Sequence, residues 1–216
     1  GDFAFQPSEF IKISFILVLA SILGSKRVDL EYARALILPL ISLAVPFVLV
    51  LVQPDLGTAL LLIPIFFAMM YVGGTRVKHL VILFLSGLAA LPFFWHFLRD
   101  YQKQRLLVFL NPNVDPLGAG YTIIQSKIAV GSGGLIGKGW LAGTQNQLNF
   151  LPERHTDFIF SVIGEEWGLF GALILILLFF LIARRSLDIA CSTNGMHGKL
   201  VAVGIITLLT LQVVIN

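Results

Sequence analysis

Leu151-Pro-Glu-Arg-His-Thr-Asp-Phe-Ile-Phe160-Ser-Val-Ile-Gly-Glu-Glu-Trp-Gly-Leu-Phe170-Gly-Ala-Leu-Ile-Leu-Ile-Leu-Leu-Phe-Phe180-Leu-Ile-Ala183 is the stretch that decides the fold. From Phe158 onward it is apolar for long enough to cross a bilayer, which takes about 20 residues at ~1.5 Å rise each. Glu153, Arg154, His155 and Asp157 stand just before that run, and Glu165 and Glu166 stand inside it. Charge therefore gathers where water gives way to hydrocarbon. Ionisable groups at that depth are costly and mark sites.

The rest of the chain has the same character. Apolar residues make up 57% and charged residues 12% of the sequence, about half the charged share of a soluble domain. The class this implies is all-α, a polytopic transmembrane helix bundle. Six stretches approach spanning length, at residues 8–25, 34–52, 55–73, 78–98, 158–183 and 200–216. Pro39, Pro46, Pro64 and Pro92 fall within them, as membrane helices allow. The organisation expected is four transmembrane helices over 1–98, an extracytoplasmic loop over 99–157 and two more helices over 158–216, the last one cut short. The chain opens Gly1-Asp2-Phe3 and its final apolar run stops at Asn216, so a piece of a longer protein is expected. The first apolar stretch has no basic flank of the kind that marks a cleavable signal peptide.

Basic residues set orientation. Lys26, Arg27, Arg34, Arg76, Lys78, Arg184, Arg185 and Lys199 follow the first, third and fifth spans, which places those connections in the cytoplasm and the 99–157 loop outside. Within that loop Tyr121, Ile124 and Ile128 recur at helical spacing opposite Thr122, Gln125, Ser126 and Lys127, predicting an amphipathic helix at the interface. Asn111-Pro112 and Asp115-Pro116 mark turns before it. Gln6-Pro7-Ser8-Glu9 and Gln53-Pro54-Asp55 each put proline at the expected first helical position with a carboxylate in the first turn, where the helix dipole favours it.

Several chemistries are excluded or weakened. Cys191 is the one cysteine, so an intrachain disulfide is impossible and the paired spacing of a structural zinc site is missing. The net charge is +3, and nucleic acid is not an expected partner. The run Gly131–Gly139 suggests a phosphate loop, but Ser132 stands where the first glycine of that motif belongs and Gly139 follows Lys138. It is read either as a turn between interfacial helices or, with Lys138, as a contact for an anionic group. Glu9 and Lys12 share a helix face, as an ion pair with Lys12 reaching back to the interface or as part of a pathway or pocket. For Glu165 and Glu166, with Gly164 and Gly168 in small-xxx-small spacing, a structural use is favoured. Asp157 either caps the helix that follows or serves as a base at the membrane surface, with Arg154, His155, Lys138 and Lys127 supplying a positive surround.

Taken together, Phe5-Gln-Pro-Ser-Glu9, Gln53-Pro-Asp-Leu-Gly57, Asp115-Pro-Leu-Gly-Ala-Gly-Tyr121 with Gln125-Ser126, Leu151-Pro-Glu-Arg-His-Thr-Asp-Phe-Ile-Phe160 and Gly164-Glu-Glu-Trp-Gly168 resemble the SEDS family of shape, elongation, division and sporulation proteins. The resemblance covers the whole chain in order and implies about ten spans in the full protein, of which these are the fourth to ninth. It implies polymerisation of lipid II into peptidoglycan glycan strands on the outer face of the bacterial cytoplasmic (inner) membrane by an inverting glycosyltransferase, of the elongation type rather than the division type. Asp157 would be the catalytic residue, and Glu9, Lys12, Gln125, Lys127, Lys138, Glu153, Arg154, His155 and Thr156 would serve the substrate. A divalent cation, Mg²⁺ or Mn²⁺, is the expected cofactor. A class B penicillin-binding protein, the transpeptidase, and other membrane proteins of the elongation machinery are the expected partners. Many relatives carry an acid where this chain has Asn149. A lipid II flippase is the alternative from another class, although the spans show no inverted repeat. A scaffold that only docks partners would leave Asp157 without a purpose.

Overall fold

The structure is a computed structural model describing residues 7–25, 32–53, 55–118, 120–147 and 158–215. Among them there is no strand. The helices are α1 (Pro7–Leu23), α2 (Ile37–Val52, entered through a 3-10 turn at Ala33–Leu36), α3 (Leu56–Val72), α4 (Val77–Phe97), α5 (Asp100–Leu110), α6 (Tyr121–Ser132), α7 (Thr144–Gln147), α8 (Ile159–Ser192) and α9 (Met196–Ile215). They form two compact units, residues 1–94 with 182–212 and residues 95–181 with 213–216.

In the first unit α1, α2 and α3 pack on one another. Phe15, Ile16 and Leu19 of α1 meet Leu62, Ile65, Phe66, Met69 and Met70 of α3, with Leu200 and Leu208 of α9. Without a hydrophobic drive between helices in lipid, close packing of small residues supplies the attraction. Gly204 does so here: its hydrogen faces Ile16 and Met69, and a Cβ there would lie 2.9 Å from Met69 Sδ. Asp55 caps α3 by accepting from the Thr58 amide at 3.1 Å, so α3 begins one residue after the carboxylate instead of carrying it in its first turn. At the start of α1 the expected grammar is seen, with Pro7 as the first helical residue and Glu9 in the first turn.

All six apolar stretches form helices. Four are long and apolar enough to cross a membrane: Arg34–Val52, Val77–His96, Ile159–Ser192 and Met196–Ile215. The others, α1 and α3, have 17 residues each, about 25 Å at 1.5 Å per residue against a hydrocarbon core of about 30 Å. These two shorter helices are the ones that fill the core. Val81, Ile82, Phe84, Leu85, Leu88 and Leu91 of α4 are exposed, the face hydrocarbon would solvate. Pro46, Pro64 and Pro92 lie inside α2, α3 and α4.

The fifth span differs from expectation at both ends of its argument. Helix α8 continues beyond Ala183 to Ser192 and takes Arg184 and Arg185 into the helix instead of a loop. Leu187 and Ile189 keep the chain a good helix former past the charges. The helix is also broken at Gly168, where φ is 64° and ψ is −158°. Between 99 and 157, α5 was not anticipated; its entry is fixed by the Arg99 amide donating to Gln102 Oε1 at 3.0 Å.

Replacing Gly204 with leucine forces a side chain into Ile16 and Met69. We expect a stability loss of about 1–3 kcal/mol, read as a lowered thermal midpoint of the detergent-solubilised protein, whereas Leu88→Ala on the outer face of α4 shifts it by much less.

Candidate functional site

The second unit is organised by the break in α8. Interrupting a helix orphans the carbonyls of the segment before the break and the amides of the segment after it, and at membrane depth each needs a protein partner. The glycine run supplies them. The amides of Lys138 and Gly139 donate to the carbonyls of Glu165 and Glu166, both at 3.0 Å, while the amides of Leu169 and Phe170 donate to the carbonyls of Gly134 and Leu135 at 2.9 and 3.3 Å. Loop backbone thus replaces helix backbone on both sides of Gly168.

Approach this close requires missing side chains. A Cβ on Gly133 would collide with the Gly164 carbonyl, one on Gly137 with the Glu166 carbonyl, and one on Gly168 with the Gly137 amide. Gly137 and Gly168 also have positive φ, which glycine alone adopts readily. The glycine run, which connects α6 to α7, is therefore also a plug in a broken helix. Gly164 is approached by Val130 of α6, in keeping with the small-residue reading, whereas Gly168 is the break itself.

An ion pair with one buried member locks this arrangement. The Glu165 side chain is fully buried, and its Oε1 accepts from Lys138 Nζ at 2.8 Å, Thr144 Oγ1 at 3.1 Å and the Gln145 amide at 3.1 Å. Lys138 Nζ also donates to Thr144 Oγ1 at 2.9 Å. Removing Lys138 leaves the buried Glu165 carboxylate without its cation, a larger loss than removing Glu165, which leaves a lysine that solvent reaches. Lys138, expected to face a substrate anion, has its ammonium committed to this protein carboxylate.

Helix α6 docks on α8 next to the plug. It forms where predicted, but Ile128 points outward while Ala129 is buried, and Ser126 Oγ lies 2.6 Å from Ser161 Oγ. Ser126 and Gly133 lie on the α8 side of the helix, small residues that let the helices approach closely. Before α6, Asp115 organises the turn by accepting from Gln104 Nε2 at 2.8 Å and from the Gly118 amide at 3.0 Å.

The remaining expected residues distribute as follows. Glu9 and Lys12 pair at 2.7 Å, but the Lys12 side chain is 3% exposed and does not reach back to the interface. It is buried instead. Gln125 is half-buried and Lys127 exposed, the latter beside a shallow depression of about 380 Å³ with Pro112, Asn113 and Ile124. Asp157, Glu153, Arg154, His155, Thr156 and Asn149 lie outside the described residues. A second depression of about 370 Å³ borders the plug, lined by Ile136, Trp140, Glu166, Trp167 and Phe170, with the two tryptophan rings edge to face at 5.8 Å. Among the described residues no three His, Cys, Asp or Glu side chains gather as a metal site.

The Glu165 cluster was missed as a cluster. Its signal was two acids flanked by glycines within an apolar run, which require a partner from elsewhere, and a glycine run with a single lysine, Lys138.

The sequence profile of the FTSW_RODA_SPOVE family, described as cell cycle protein, matches residues 1–216. The chain is 44% identical over its whole length to peptidoglycan glycosyltransferase MrdB of Escherichia coli K12, covering 58% of that protein. It is 40% identical over 99% of its length to the probable peptidoglycan glycosyltransferase FtsW of Trichlorobacter lovleyi, covering 56% of it. Among solved structures it is similar, with a TM-score of 0.76 and 34% identity over 99% of the chain, to 59% of a chain from a peptidoglycan synthase complex that coordinates polymerization and crosslinking. The chain thus spans a little under 60% of the length of these relatives.

Gly168→Ala tests the plug. The backbone conformation alone costs an alanine about 1–3 kcal/mol, and its Cβ meets the Gly137 amide. We expect a clear drop in thermal midpoint, larger than that for Gly131→Ala, where a Cβ meets nothing within 4 Å.

Proposed function

The chain belongs to the FtsW/RodA/SpoVE family of cell cycle proteins, and from that membership we propose that the protein polymerises lipid II into peptidoglycan glycan strands at the outer face of the bacterial cytoplasmic membrane. One observation carries the reading: the whole chain aligns with a peptidoglycan glycosyltransferase at 44% identity.

In this reading Asp157 is the general base. It takes the proton of the acceptor GlcNAc 4-hydroxyl, whose oxygen attacks the anomeric carbon of the donor MurNAc with inversion, and undecaprenyl diphosphate departs. Asp157 directly precedes Phe158, whose carbonyl accepts from the Ser161 and Val162 amides at 3.1 and 3.3 Å. In the sequence the base thus comes two residues before the first residue of α8, at the boundary between polar and apolar sequence. Arg154, His155, Thr156 and Glu153 belong to the same motif. Gln125 and Lys127 on α6, and Glu9 with Lys12 on α1, are the further residues assigned to substrate. Lys138 stays in that set with its ammonium already donating to Glu165 Oε1 and Thr144 Oγ1, which leaves one N–H for an anionic group.

A divalent cation is part of the proposal. The described residues do not fit a protein-built cage for it, and Mg²⁺ is commonly bound through one or two carboxylates plus substrate phosphates. The partner proposed is a class B penicillin-binding protein, supported by the likeness to the synthase complex. An elongation role, of the RodA type, is favoured by the MrdB identity over the FtsW identity, and the closeness of the two keeps a division role as the second reading.

The test is lipid II polymerisation by the full-length parent with its transpeptidase partner and Mg²⁺. Glycan strands from wild type and at least about 100-fold fewer from folded Asp157→Asn are expected, with strand formation lost on chelation and restored by Mg²⁺. Equal strands from both proteins overturn the base assignment. No strands from wild type, together with transfer of labelled lipid II across liposomes, would favour a flippase.

A further inference from the structure

Glu165 reaches across sequence in a way the proposed chemistry does not use. Its single oxygen Oε1 collects Lys138 Nζ, Thr144 Oγ1 and the Gln145 amide. Lys138 belongs to the plug in the helix break. Thr144 and Gln145 belong to α7, the last described element before Ile159–Ser192 begins. Glu165 itself lies in the segment of α8 that runs from residue 159 to the break. One carboxylate therefore ties the plug, the end of the loop that leads toward the Leu151–Asp157 motif, and the helix that leads away from that motif.

Two further observations fit a fixed anchor. Gly143 lets α7 come close, since a Cβ there would lie 2.8 Å from Glu165 Oε2. Ser126 Oγ and Ser161 Oγ, 2.6 Å apart, hold the same short helical segment against α6, and Ser161 is 2% exposed. Residues 159–167 are thus tied on one side to α6 and at the far end to the plug and α7, whereas an isolated helix of that length has little stability of its own.

From this geometry we infer that Glu165 is a positioning residue for catalysis: its buried carboxylate, paired with Lys138 and shared with Thr144 and Gln145, fixes the helical segment that follows the motif base in the sequence. The inference rests on the glycosyltransferase reading for its effect on turnover, but its structural half does not. Glu165 is fully buried, so it acts through placement and not by touching substrate. A displacement of about 1 Å of a reacting group lowers turnover roughly 100-fold, whereas substrate affinity, set elsewhere, changes little.

The experiment compares wild type, Glu165→Gln, Lys138→Met, the double variant and the milder Thr144→Val in the full-length protein with its transpeptidase partner. Two quantities are read: polymerisation kinetics on lipid II, and hydrogen exchange of the amides of Lys138, Gly139, Leu169 and Phe170. We expect those amides to exchange at least roughly tenfold faster in Glu165→Gln and Lys138→Met. We also expect kcat to fall roughly 10- to 100-fold with KM within about twofold, the double variant to be no worse than the poorer single one, and Thr144→Val to show the same pattern, weaker. Unchanged exchange in every variant overturns the anchor, whatever the activity. Faster exchange with wild-type kcat overturns the positioning role. A raised KM in Lys138→Met with Glu165→Gln silent places Lys138 on the substrate and also overturns it. Should wild type make no strands, the glycosyltransferase reading fails, and the exchange data still decide the anchor.

Discussion

The hydrogen bonds between the Gly133–Gly139 backbone and the two edges of the break at Gly168 are the constraint on which the second unit depends. A helix opened inside an apolar run leaves carbonyls and amides that neither lipid nor side chains of leucine and phenylalanine can satisfy. Four loop–helix bonds close that gap, and glycines at 133, 137 and 168 make the contact sterically open. The Lys138–Glu165 pair follows from the same geometry, since once Lys138 donates its amide to the Glu165 carbonyl its side chain is near the Glu165 carboxylate. A buried carboxylate is tolerable in an apolar helix only when a cation and further donors meet it.

The two units solve the membrane problem differently. In the first, helices without a break satisfy most of their own backbones, and the remaining task is packing, accomplished by α1 and α3 around Gly204. In the second, an irregular backbone is admitted because the groups on both sides of the break are hydrogen-bonded to the loop. That difference lets an irregular backbone run in the second unit without leaving the groups at the break unpaired.

Much of this was legible in the sequence. Apolar length gave the six helices, and the periodicity of Tyr121 to Ile128 gave α6. Asp55 was read as a dipole-favoured acid and proved to be a cap. What failed to read was long range. Periodicity marks which residues are apolar but not which neighbour the other face meets, so the contact of Ser126 and Gly133 with α8 could not be read from the spacing. The glycine run was visible, but its partner lay in a segment that otherwise reads as uninterrupted helix. Only the coincidence of Glu165 and Glu166 with Gly164 and Gly168 hinted that the helix opens there. Arg184 and Arg185 misled for a local reason, because two charges at the end of an apolar run look like a loop, although the following residues continue the helix.

The central claim is that the glycine loop fills the break in α8 in the working protein. Its most direct test is crosslinking in native membranes of a Leu135→Cys, Phe170→Cys pair in a chain whose exposed Cys191 is replaced by serine. The Phe170 amide bonds the Leu135 carbonyl at 3.3 Å, and both side chains are exposed. The account predicts efficient disulfide formation under mild oxidation with wild-type strand synthesis retained by the crosslinked protein. Failure to crosslink, or crosslinking that stops synthesis until reduction, would contradict it.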